Sequence, residues 1–108
     1  MNVVFKDQQL EKMYKNGRET GKPVYGPEVV KAYVKKIDIL YAVANSMDVA
    51  NFRSLHLEAL KKEKQYRGFH SIRVNDKYRI ILKFIKAKNP GQKDSVEISE
   101  IYELTDYH

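Results

Sequence analysis

The apolar residues of this chain keep one spacing before Phe69 and another after it, and that switch decides the fold class. Val30, Tyr33, Val34, Ile37, Leu40, Tyr41 and Ala44 recur at intervals of three and four. This is one continuous stripe on a helix whose first turn takes Pro27, where a missing N–H costs nothing. From Phe69 the period is two: Phe69, Ser71 and Arg73 alternate with His70, Ile72 and Val74, as in a half-buried strand. Asn75-Asp76 supplies turn chemistry, and Tyr78 to Phe84 returns as a largely apolar strand expected at the centre of a sheet. Beyond a loop over residues 86–95, Val96, Ile98, Glu100, Tyr102 and Leu104 alternate with Glu97, Ser99, Ile101 and Glu103 in a last strand.

Ahead of the striped helix, Val3-Val4-Phe5 reads as an opening strand. Asp7 is placed to cap a first helix that carries Leu10, Met13 and Tyr14 on one face and stops at Gly17. Residues 18–26 form a loop. Between Asn45 and Tyr66 the pattern is weakest: Asn45-Ser46-Met47-Asp48 ends the second helix, and Phe52, Leu55, Leu57 and Leu60 anchor a turn or short helix. The order β-α-α-β-β-β predicts an α+β fold, two N-terminal helices on a mainly antiparallel sheet, as a single domain over residues 1–108.

Cysteine is absent, which excludes disulfides and Cys-ligated zinc or iron–sulfur centres. The three histidines lack metal-ligand spacing, and no Gly-rich phosphate loop or Ser nucleophile motif is present. No secretory signal and no run of about 20 apolar residues is seen, so a cytoplasmic protein without a membrane span is expected. Charge is uneven: residues 1–93 hold all 20 Lys and Arg against nine acids, while the last fifteen hold five acids and no Lys or Arg. A basic body is the electrostatic footprint of a phosphate-rich partner. Lys31, Lys35 and Lys36 on the second helix read as a solvated face, with a phosphate-facing ridge as the alternative.

The segment Arg67-Gly68-Phe69-His70-Ser71-Ile72-Arg73-Val74-Asn75-Asp76-Lys77-Tyr78-Arg79-Ile80 resembles the hairpin of HigB-like toxins of the RelE superfamily. The opening Phe5-Lys6 with Leu10 and Met13-Tyr14, and the final Asp106-Tyr107-His108, are similar to the start and end of the same family. The resemblance covers nearly the whole chain. It implies a RelE-like fold and the toxin of a type II pair, an endoribonuclease that cleaves mRNA in the ribosomal A site and is held inactive by a helix-turn-helix antitoxin. No metal or small-molecule cofactor is implied. Carried over by motif, the catalytic residues are Arg79, Asp106, Tyr107 and His108. Leu55-His56 and Leu60-Lys61 match the two halves of an L-H-P-L-K-G segment with an insertion between them, which adds His56 and Lys61. His70 inherits no role.

Metal-free RNA cleavage needs a base for the 2′-OH, an acid for the leaving 5′-oxygen and cations for the charge on the phosphorane. His108 and His56 suit proton transfer, with Asp106 orienting His108 or sharing its role, and Tyr107 stacking on a base or donating to a phosphate. Arg79 and Arg73 suit the phosphate, with Arg67, Lys61 and Lys77 as further cations. Arg73 and Arg79 flank the Asn75-Asp76 turn symmetrically, so a tight hairpin would set them side by side; pairing with Glu97, Glu100 or Glu103 is the alternative. Two other functions compete: a non-catalytic ribosome- or nucleic-acid-binding protein of the same fold, and an interaction module whose basic surface answers an acidic partner.

Overall fold

The computed structural model describes residues 1–62, 64–88, 91 and 95–106, Ser95 as backbone only. Strand β1 (Asn2–Phe5) leads into α1 (Gln8–Asn16), followed by α2 (Pro27–Ala42), α3 (Ser46–Asn51) and β2 (Glu58–Ala59). Strands β3 (His70–Arg73), β4 (Tyr78–Lys88) and β5 (Ser95–Asp106) complete the chain. A short helix and a two-residue strand are thus inserted between the second helix and the hairpin, where the sequence pattern was weakest.

Local chemistry explains the helix ends. The Asp7 carboxylate accepts from the N–H groups of Gln9 (2.8 Å) and Leu10 (3.1 Å), and Gly17 closes α1 in the left-handed region at φ 69°. Asp7→Ala should cost about 1 kcal/mol in thermal or urea unfolding, and Asp7→Ser should recover most of it. The N-cap of α2 is Gly26, which has no capping side chain. Glu19 instead fixes the loop that leads into the helix, its carboxylate gathering the N–H groups of Val24, Tyr25 and Gly26 at 2.8–3.0 Å. α3 is capped by Asn45, whose Oδ1 accepts from Asp48 N–H at 3.0 Å.

The sheet runs β1-β5-β4-β3-β2, with β1 parallel to β5 and the other pairs antiparallel, so β4 is central as its apolar run requires. Under the helices lies one core: Leu10 and Met13 of α1, Val30, Tyr33, Ile37 and Leu40 of α2, Val49 of α3, and Ile72, Ile80, Leu82, Ile101 and Leu104 of the sheet. The Tyr33 hydroxyl, fully buried, donates to Leu10 C=O at 2.9 Å and ties α2 to α1. Tyr41, expected in the core with Tyr14 and Tyr33, is 44 % exposed and stacks on Tyr14 at the rim instead.

The last strand departs from simple alternation. Ile81 pairs with Glu103 but Leu82 pairs with Ile101, so β5 carries one extra residue at Tyr102. Ile101 and Leu104, three apart, therefore both enter the core, which a strict period of two forbids.

His70 sits on the helix side of β3 against Phe84, ring centroids 5.3 Å apart, and its Nδ1 is buried with no hydrogen-bond partner among the described residues. Burial holds its pKa below the ordinary 6.5. The unfolded chain then takes up a proton that the folded chain declines, so stability is full above about pH 6.5 and is lost as pH falls from there toward the folded value. Denaturation midpoints at about pH 7.5 and 5.5 should show this fall in the wild type, and a smaller one in His70→Phe.

Candidate active site

The hairpin turn is built by Asn75, whose Oδ1 accepts from Lys77 N–H (2.9 Å) and Tyr78 N–H (2.7 Å), while Val74 N–H reaches Tyr78 C=O at 3.0 Å. This tight closure fixes the register, and Arg73 and Arg79 become direct cross-strand partners. Such partners have Cα atoms about 4.5–5.5 Å apart and project to the same face. Here that is the face turned away from α1 and α2, because Ile72 and Ile80 beside them point into the core.

Each guanidinium is positioned differently. Arg79, its side chain 17 % exposed, donates from Nε to Ser71 Oγ (2.8 Å) and from NH2 to His56 C=O (2.6 Å), with Glu58 at 3.8 Å. His56 offers that carbonyl from a left-handed conformation at φ 45°, one that His adopts more readily than most side chains. Arg73, 39 % exposed, pairs with Asp76 on the turn. The three glutamates of β5 have other partners: Glu97 accepts from Ser46, Glu100 pairs with Lys6 at 3.5 Å, and Glu103 accepts from the Tyr66 hydroxyl at 3.0 Å. Two cations thus share one open face, one ordered by three protein oxygens and one held by an exposed carboxylate that an anion can displace. This arrangement can grip a phosphate.

The remaining candidates divide by place. His56 is exposed and adjoins Arg79 through its backbone. Lys77 lies on the turn, its ammonium 5.5 Å from the Tyr78 ring centroid. Lys61 and Arg67 are exposed at the other end of β3, on the segment that Leu60 N–H ties to Phe69 C=O at 2.9 Å. Asp106 is the register partner of Tyr78, which sets it on the helix side of the sheet, one residue beyond Thr105 opposite Arg79. Tyr107 and His108 lie outside the described residues. Sequence reasoning missed Ser71 and Glu58. Ser71 was legible in principle, since alternation puts it on the face of Arg73; Glu58 was not, because a two-residue strand leaves no period.

Among the described residues no three His, Cys, Asp or Glu side chains are grouped to hold a metal, and no helix is long and apolar enough to cross a membrane. A groove of about 520 Å³ runs between Asp7, Glu19 and Tyr25 on one side and β5 residues 102–105 on the other, but does not include Arg73 or Arg79.

Comparison with known proteins bears on this geometry. Two solved structures are similar over the whole chain. One is the YoeB/ParE toxin from Agrobacterium tumefaciens, with TM-score 0.52, 14% identity and 100% of each chain covered. The other is a chain of the YoeB-YefM complex from Staphylococcus aureus, with TM-score 0.50, 21% identity, and 100% of this chain and 97% of that one covered. At these identities the likeness is one of fold. No curated protein sequence matches. The family model for the RelE-like toxin of type II toxin-antitoxin system HigB matches residues 3–103. With nearly the whole chain inside that match, this protein belongs to the HigB-like family of RelE-like type II toxins.

Proposed function

We propose that the chain is a ribosome-dependent endoribonuclease that cuts mRNA without a metal and so arrests translation. The observation that carries the reading is the register pairing of Arg73 with Arg79 on the open sheet face. Each guanidinium is balanced by its own exposed carboxylate, Asp76 and Glu58, and a scissile phosphate between the two cations can take the place of these. In the reaction the 2′-OH gives its proton to a base and its oxygen attacks the adjacent phosphorus. The bond to the 5′-oxygen breaks as an acid protonates it, leaving a 2′,3′-cyclic phosphate and a 5′-OH. Arg79 and Arg73 hold the phosphate and its developing charge. His108 and His56 are the proton-transfer groups, Tyr107 assists them, and Lys61, Arg67 and Lys77 contact the flanking backbone; Asp106, on the helix side of the sheet, takes no direct part at the phosphate.

The site's inhibitor is a cognate antitoxin encoded beside it, in keeping with the toxin–antitoxin family and with the solved YoeB-YefM complex. The cytoplasm, where ribosomes and mRNA are found, is the place of action.

Mapping 5′ ends on cellular mRNAs after brief induction tests the reading. New ends within translated codons are expected. Intact messages alongside arrested growth would leave a ribosome-binding protein that does not cut, and intact messages with normal growth an interaction module.

A further inference from the structure

Past Arg79, the open face of the sheet carries a second cluster. Arg79, Ile81 and Lys83 share that face of β4, so Lys83 stands about 14 Å along the strand from Arg79. The Lys83 ammonium lies 4.3 Å from the Phe69 ring centroid and 5.7 Å from that of Tyr102. Phe69 and Tyr102 meet edge to face at 4.8 Å, and Tyr66 packs against Phe69 in the same manner at 6.0 Å. The extra residue in β5 is what delivers Tyr102 to this place.

On its inner side the cluster belongs to the face on which Ile81 and Ser71 are fully buried, and three features mark its outer side. It lies outside the core under the helices, to which none of Phe69, Tyr102 and Lys83 belongs. All three side chains are only partly buried. Lys83 makes no ion pair among the described residues: its cross-strand partner Glu100 is taken by Lys6 at 3.5 Å and by the Tyr102 hydroxyl at 3.1 Å. A cation poised over aromatic rings on a sheet surface is the chemistry by which proteins hold single-stranded RNA, rings for bases and ammonium for phosphate. Lys61 and Arg67, also exposed, flank the same end of β3.

We propose that Phe69, Lys83 and Tyr102 form a second nucleotide subsite, where a base stacks on Tyr102, held edge to face by Phe69, and its phosphate meets Lys83, roughly two nucleotides of an extended strand from the phosphate held at Arg79. The inference rests on the mRNA-cleaving reading above and adds to it the direction in which the RNA leaves the site, along β4 away from the hairpin turn.

The test titrates the full chain onto ribosomes whose A-site codon carries 2′-O-methyl riboses, with 2-aminopurine placed at successive positions in and beyond the codon. Wild type should quench one position. Tyr102→Leu should lose that quench and bind about 5- to 50-fold more weakly, while Tyr102→Phe stays within about twofold. Lys83→Met should lower the slope of log affinity against log salt by about one. Unchanged quench and affinity in Tyr102→Leu, with wild type bound, overturns the subsite and leaves the cleavage reading intact. No engagement of the programmed ribosome by wild type overturns both. If Tyr102→Leu does not fold, Lys83→Met decides alone, and an unchanged salt slope overturns the proposal. Weaker capture of the antitoxin by these variants with RNA binding unaltered makes the cluster a protein contact, and also overturns it.

Discussion

Arg79→Ala is expected to abolish mRNA cleavage, by about 10²–10³-fold or more in rate, while the chain stays folded. The effect on rate is large because the guanidinium is ordered before substrate arrives. Ser71 Oγ and His56 C=O fix its plane, so little reorganisation is needed when charge builds on the phosphorane. The effect on stability is smaller. The substitution removes two charge-assisted hydrogen bonds from a side chain that is 17 % exposed, about 1.5–3 kcal/mol each at most, which stays within the roughly 5–15 kcal/mol reserve of a domain. Arg79→Lys keeps the charge but cannot serve Ser71, His56 and a phosphate together, so it should restore only a small part of the rate. Mapping 5′ ends after induction, together with a thermal melt of each purified variant, checks both halves. Cleavage at wild-type level in Arg79→Ala removes this residue from the site.

The neighbouring position behaves in the opposite way. Ile80→Ala should destabilise the chain by about 2–5 kcal/mol and lower Tm by something on the order of 10–20 °C. Ile80 is fully buried on the central strand, between its register partners Ile72 and Leu104, and rigid strands on both sides prevent collapse around the space left. Ile80→Val should cost only about 0.5–1.5 kcal/mol. At a temperature where Ile80→Ala is still folded, its cleavage pattern should match wild type. Calorimetry and chemical denaturation measure the first effect, and end-mapping at low temperature the second. A loss below 1 kcal/mol would mean that the core beside β4 is loosely packed.

These adjacent residues show what was legible from sequence. Opposite roles for Arg79 and Ile80 follow from a period of two, and the Arg73–Arg79 pairing follows from turn length; both are local rules that the structure obeys. The capped ends of α1 and the Pro27 start of α2 are equally local. Three features had no sequence signal of that kind. Helix α3 spans six residues with only Val49 buried, too few for a periodic stripe. Strand β2 has two residues and exists only because β3 has a free edge to pair with. The extra residue at Tyr102 is set by how β5 must meet both β4 and the core, so alternation read from Val96 onward loses phase at the point where the strand approaches Arg79. Within the site the same division holds: the hairpin arginines were visible, whereas Ser71, Glu58 and the His56 carbonyl were settled by tertiary contacts.

That lost phase has a consequence for how such a chain can change. The inserted unit at Tyr102 breaks the parity of β5 without breaking its pairing, as a siding leaves the main line intact. Thr105 is routed to the track of Arg79 and Asp106 to the other. Removing Tyr102 would leave every one of these pairings in place, since Glu103 would then follow Ile101 directly and still oppose Ile81. The strand can therefore lose or regain a residue at this one place and keep the same side chains turned toward the core.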